Sequence, residues 1–159
     1  MSEAAWFNTP VEYAEALDRL LGQASRDIRI YDWDLSDGGY EQPMRIRLLN
    51  DFCKQGNRRQ IRILLADDAW LTRHAGQLMH LLSVWGHVME IRIRDSEPPP
   101  EQDCFVLTDD HGVLKRFDKD NTKGVMRLNS RGDVVDLGIR FDSEWERAPG
   151  RVAPRALGL

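Results

Sequence analysis

The sequence predicts an α/β fold: a mixed sheet flanked by helices on both faces. Two observations predict it. Between Thr9 and Asp95, segments with helical apolar spacing alternate with short runs rich in β-branched residues, the order of strands joined by helical crossovers. Beyond Asp95 the β-rich runs are separated mainly by tight-turn signals, which join antiparallel neighbours.

Thr9-Pro10 marks a helix start, with a hydroxyl at the cap and proline in the first turn. Val11, Ala14, Leu17, Leu20 and Leu21 then fall on one helical face, and Gly22 lies near the end. IRIYDW (28–33) is the first strand. DLSDGGYEQP (34–43) is a loop signalled by Asp-Gly-Gly and a proline. Met44, Ile46, Leu48, Leu49, Phe52 and Cys53 place a second helix, ended around Gly56-Asn57. IRILLA (61–66) is the next strand, and Asp67-Asp68 caps a third helix over 69–84. HVMEIRIR (87–94) follows as a strand, and SEPPPEQ (96–102) is a stiff connector because consecutive prolines favour an extended chain. QDCFVLTD (102–109) and VLKRF (113–117) form a hairpin through an Asp-His-Gly turn, and GVMRL (124–128) adds a sixth strand. VVDLGIRFDSEWERA (134–148) fits either a strand then a helix, or a helix throughout. This divides the chain into an extension (1–8), one domain (9–148) and a loose tail or linker (149–159).

At 159 residues the chain is large enough to bury a core, and its 42% apolar and 30% charged residues are the balance of a globular domain. No apolar run is long enough to span a bilayer, and the start has no secretory pattern. Two cysteines do not make a disulfide framework, so a cytoplasmic location is expected. A net charge of −4 argues against nucleic acid as a partner.

Four strands end in aspartate: Asp32 with Asp34, Asp67 with Asp68, Asp95, and Asp109 with Asp110. In open α/β sheets ligands bind beyond the carboxyl ends of parallel strands, so Asp32, Asp34, Asp67, Asp109 and His111 make a candidate set for a divalent metal. The competing role is capping and turn chemistry, which Asp68 suits at its helix start. If the hairpin strand runs the other way, Asp109 lies at the opposite edge. The loop from Asp32 to Gly38 fails the calcium-loop spacing, with glycine one position late and Pro43 where the closing glutamate belongs. His74, His80 and His87 have no partner at zinc spacing. No metal site or cofactor is implied outside the aspartate set. Cys104 reads as a buried, inert thiol, because nothing near it in sequence is cationic enough to hold a thiolate. Arg92 and Arg94 share the strand face opposite Ile91 and Ile93, and should be paired with acids.

The order RDIRIYDWDL (26–35), RRQIRILLADD (58–68), VWGHVMEIRIRD (84–95) and QDCFVLTD (102–109), closed by FDSEWERA (141–148), resembles the phospholipase D superfamily. That family carries His-x-Lys-x-x-x-x-Asp on the strand matching 102–109 and closes on a Phe-x-x-x-Trp helix. The resemblance puts Gln102 at the position of the nucleophilic histidine and Cys104 at that of the phosphate-binding lysine; Asp109 matches. The family's Gly-Ser followed by Asn is absent at the expected distance, where Arg116, Phe117 and Lys119 stand. The family reaction needs a histidine to attack phosphorus and a cation to balance its oxygens. The resemblance therefore implies a catalytically inactive phospholipase D-like domain serving as a binding, regulatory or assembly module. Single-copy members pair, so it also implies a homodimer; an anionic small molecule or another protein is a separate candidate partner. The alternative is a phosphodiesterase or hydrolase using the aspartate–histidine set with a divalent metal. A third reading is an appendage of a longer polypeptide.

Overall fold

The structure, a computed structural model, describes residues 4–56, 58–95 and 102–154. Outside them lie the first three residues of the expected extension, Asn57 at the expected helix end, 96–101 of the proline connector and 155–159 of the tail.

Eight strands form one sheet among the described residues: β1 (Ala4–Phe7), β2 (Asp27–Asp32), β3 (Gln60–Leu65), β4 (Met89–Ile93), β5 (Cys104–Thr108), β6 (Gly112–Asp118), β7 (Asn121–Arg127) and β8 (Gly150–Arg151). Their order is β1-β7-β6-β5-β2-β3-β4-β8. Only β2–β3 and β3–β4 are parallel. The helices are α1 (Pro10–Gly22), α2 (Pro43–Lys54), α3 (Ala69–His74), α4 (Gly76–Val84) and α5 (Arg131–Arg147). The expected mixed sheet with helices on both faces is what forms. Among the described residues no helix is long and apolar enough to cross a membrane.

Strand alternation divides the core. Ile28, Ile30, Ile61, Ile63 and Ile91 pack with the buried residues of α1, α2 and α4. On the other face Tyr31, Leu64, Phe105, Leu107 and Val113 meet Val134, Phe141 and Trp145 of α5. The strand arginines lie on this second face: Arg92 pairs with Glu90, as expected, and Arg29 and Arg62 each approach Asp142 at 3.4 Å. Their guanidinium planes also cover rings, Arg92 over Trp145 and Arg94 over Tyr31, so charge is buried against π-faces. Gly138 permits α5 to approach, since a Cβ there would lie 2.8 Å from Arg29 Nη1.

Tertiary contacts change several expected elements. In α1 the buried face is Tyr13, Ala16, Leu17, Leu20 and Leu21, while Val11 is 67% exposed. The Tyr13 ring stacks on Phe7 at 5.3 Å and rotates the apolar face away from Val11. At the N-terminal cap Thr9 Oγ1 accepts from the Glu12 amide, and Glu12 Oε1 accepts from the amide of Asn8, one residue before the cap. The helix expected over 69–84 is two helices, broken at Ala75-Gly76. Glu41, from the loop before α2, accepts the Gln77 and Leu78 amides at 2.9 and 2.8 Å and so starts α4 afresh. At the α3 start, Asp67 rather than Asp68 accepts the Ala69 amide. Segment 134–148 is helical almost throughout, not strand then helix. Two outlying segments join the sheet: Ala4–Phe7 pairs with β7, and Gly150–Arg151, expected to be loose, pairs with β4.

Candidate functional site

Strand β5 runs antiparallel to β2, with Ile28 opposite Thr108 and Tyr31 opposite Phe105. The start of β5 therefore lies beside the carboxyl end of β2, and its end lies beside the start of β2. This divides the aspartate–histidine set. Asp32, Asp34 and Asp67 are at one edge of the sheet; Asp109 and His111 are at the other. The expected five-residue metal group does not form, and among the described residues no three His, Cys, Asp or Glu side chains are arranged to hold a metal ion.

Each member has a local task instead. Asp34 Oδ1 accepts from the amide and hydroxyl of Ser36, closing a turn. Asp109, at φ 54°, turns its carboxylate onto the start of β2 and accepts from the amides of Ser25, Arg26 and Asp27 and from the Ser25 hydroxyl. Burial raises the Asp109 pKa, but these donors outweigh it and hold the carboxyl below its ordinary range. His111 Nδ1 lies 2.9 Å from Asp110 Oδ1, both exposed in the hairpin turn. Capping and turn chemistry accounts for these residues.

Strand β5 carries a denser cluster at its other end. Cys104 and Arg116 are directly opposite across the β5–β6 pair. Cys104, Arg116 and Asp32 are 2%, 2% and 3% exposed, and beside them Tyr13 and Tyr40 are also buried. Arg116 lies 3.1 Å from Asp37 Oδ2, 4.0 Å from Asp32 Oδ1 and 3.4 Å from Cys104 Sγ, and donates to the Lys119 carbonyl at 3.2 Å. Its plane lies over the Tyr13 ring at 5.2 Å. Asp32 Oδ1 accepts from the Trp33 amide at 2.6 Å and faces Cys104 Sγ at 3.6 Å. Among the described residues, the Arg116 Nε and the Tyr40 hydroxyl have no hydrogen-bond partner.

Two carboxylates thus meet one buried guanidinium. Burial pushes the Asp32 carboxyl above its ordinary range, against the pull of Arg116, the Trp33 amide and Cys104. Burial, reinforced by Asp32, pushes the Cys104 thiol up to about 12, with Arg116 opposing. The inert thiol stands, but for another reason than expected. A cation is present, and desolvation with the nearby carboxylate overrides it.

Loop 34–42 fixes Asp37 over this cluster. Leu35 (φ 69°) and Tyr40 anchor it in the core, and Gly38 and Gly39 turn at φ 89° and 66°. Arg45 Nε donates to the Gly38 carbonyl and its guanidinium pairs with Asp18. Gln102, at the nucleophile position of the resemblance, is exposed; its carbonyl accepts from the Lys119 amide at 2.7 Å.

Neither Arg116 nor Asp37 stands out in the sequence. One signal for Arg116 was available: in VLKRF it shares parity with Leu114, on the face that packs against α1. Asp37 reads as an ordinary turn residue, and its partner is 79 positions away.

A family model described as a domain of unknown function, DUF7931, matches residues 9–157. The chain belongs to the DUF7931 family. Among curated protein sequences no match to this DUF7931 chain is found. Solved structures do match it. Nuc from Salmonella typhimurium, described as a phospholipase D family member, superposes with a TM-score of 0.67 at 15% identity, over 94% of this chain and 98% of its own. NucT from Helicobacter pylori gives 0.60 at 12% identity, over 94% and 99%. TrmBL2, an archaeal chromatin protein described as binding DNA, gives 0.66 at 15% identity over 91% of this chain; the DUF7931 chain spans only 52% of it. Identities this low carry the fold alone, and that fold is the phospholipase D-like one.

Proposed function

We propose that this chain is a catalytically inactive phospholipase D-like domain that acts as a binding or assembly module. The observation that supports it most is the buried Arg116, held between Asp32 and Asp37 at the end of the motif strand. A phosphodiesterase of this fold needs a nucleophile and a cation free to receive phosphoryl oxygens. At the corresponding positions stand Gln102, a neutral amide, and Cys104, a buried thiol. The cation that has come in from β6 already faces the chain's own carboxylates. Among the described residues, no partner of Arg116 or Cys104 is a histidine. By this reading the partner surface lies elsewhere on the domain, and the partners include a second copy.

Purified protein incubated with bis-aryl phosphate, phospholipid vesicles and DNA should give no turnover above a blank. Activity that survives metal chelation and disappears in Gln102→Ala or Cys104→Ala would overturn the reading. The likeness to TrmBL2 favours a second reading, in which the module binds DNA. Salt-sensitive retention of duplex DNA near physiological salt would support it, and no retention even at low salt would sink it.

A further inference from the structure

Helices α2 and α4 lie side by side on the face of the sheet opposite α5. Each buries one stripe in the core, Arg45, Leu49, Phe52 and Cys53 on α2 and Leu78, Met79, Leu81 and Leu82 on α4. A second stripe on each helix borders the space between them. On α2 it is Pro43, Ile46, Arg47 and Asn50. On α4 it is Gln77, His80, Leu81 and Val84. Both follow the spacing i, i+3, i+4, i+7 of one helical face over two turns. Together they bound a groove of about 760 Å³. Hydrogen bonds fix both of its ends. At one, Glu41 accepts the Gln77 and Leu78 amides; at the other, Trp85 Nε1 donates to Asn50 Oδ1 at 2.9 Å. The two helices therefore run the same way, and the groove is formed before anything enters it, which lowers the cost of binding.

The chemistry of the groove selects its occupant. Ile46 and Leu81 make an apolar floor, and Val84, 51% exposed, stands on one bank. Arg47 and His80 are exposed on opposite banks near the middle. Among the described residues neither side chain has an ion-pair or hydrogen-bond partner. Glu41 is the one carboxylate of the lining, and both of its oxygens are taken by the α4 amides. The groove thus offers uncompensated positive charge above an apolar floor. A nucleic acid needs a run of cations, and the lining has one arginine. An open trough between two helices, two turns long, receives the side-chain ridge of a third helix. Its complement is an amphipathic helix with apolar side chains along the contact stripe and a carboxylate among them to meet Arg47.

We propose that the α2–α4 groove docks an acidic amphipathic helix of a partner protein. This rests on the binding-module reading and assigns its surface. The test selects a displayed library of helical peptides on the wild-type protein and measures the enriched peptides by fluorescence polarisation. They should be amphipathic helices with a carboxylate recurring in the apolar stripe. Their dissociation constants should rise at least about tenfold in Arg47→Glu and in Val84→Glu, and stay within about twofold in the control Met44→Glu. Met44 is 50% exposed on the same helix but outside the lining. A peptide with that carboxylate replaced by lysine should lose affinity for the wild type and recover it on Arg47→Glu, which a damaged fold would not do. A selection that yields no acidic helix, or binding insensitive to both groove variants, overturns the docking site and leaves the domain's catalytic inactivity standing. Turnover of the phosphodiesters would instead overturn the inactive-domain reading, whatever the groove binds. Oligonucleotide binding lost in Arg47→Glu would overturn the peptide assignment in favour of nucleic acid, and self-association lost in Val84→Glu would do so in favour of a second copy.

Discussion

Replacing Arg116 by methionine isolates the energetics of the buried cluster. The side chain is 2% exposed, and methionine keeps most of its length without the charge. Its nearest buried counter-charge is Asp32, at 4.0 Å. At that separation, with an effective dielectric constant of about 20, the attraction is about 4 kcal/mol. Asp37, at 3.1 Å, is nearer, but its side chain is 56% exposed, so water screens it and it contributes about 0–1 kcal/mol. Removing one partner of a buried pair strands the other, and the expected loss is about 3–5 kcal/mol of a total of about 5–15. The loss should depend on pH, with a definite sign. Burial already raises the Asp32 carboxyl, and without Arg116 it rises further. The native state then keeps a proton that the unfolded chain releases near pH 3.9 (roughly). Above that point stability falls as pH rises, by at most about 1.4 kcal/mol per unit, until the native carboxyl also ionises. Urea unfolding of wild type and Arg116→Met at pH 5 and pH 8 reads this directly: the deficit should be smaller at pH 5. The double variant Asp32→Asn/Arg116→Met should be less damaged than the sum of the singles, by about 1–3 kcal/mol. A single-variant loss under about 1 kcal/mol, or equal losses at both pH values, would refute the idea that Arg116 is held chiefly by Asp32.

Three further outcomes follow from the same structure. With Cys104 pushed up to about 12 and Cys53 to about 11, both buried, neither thiol should react with an aromatic disulfide reagent at pH 8 until denaturant is added; stoichiometric reaction of native protein would contradict this. Asp109→Ala should cost about 1–3 kcal/mol, because three amides lose their acceptor and alanine is strained at φ 54°. The depressed Asp109 carboxyl contributes stability above its unfolded value near pH 3.9 (roughly), and that stability is lost as pH falls through the native value, so the variant should flatten the acid limb of the stability–pH curve. Gly124→Ala would place a Cβ 2.2 Å from the Lys115 carbonyl and 2.3 Å from Phe7 Cζ; a drop in stability of at least about 1–3 kcal/mol is expected, and an unchanged urea midpoint would show that β7 has room to shift.

The sequence by itself determined the fold class and most element positions. The cause is physical: a 3.6-residue apolar spacing and a two-residue alternation are local properties, and α2, β2, β3, β4 and the β5–β6 hairpin follow from them. Other features were decided only by tertiary contacts. The α3–α4 break comes from Glu41, 36 positions before the amide it caps. The separation of Asp109 from Asp32 comes from the antiparallel direction of β5, which no local pattern encodes. Arg116 becomes the central residue because β6 lays it against Cys104 while a distant loop delivers Asp37. Charge pairing in a buried site depends on distance and desolvation, and both exist only once the chain has folded.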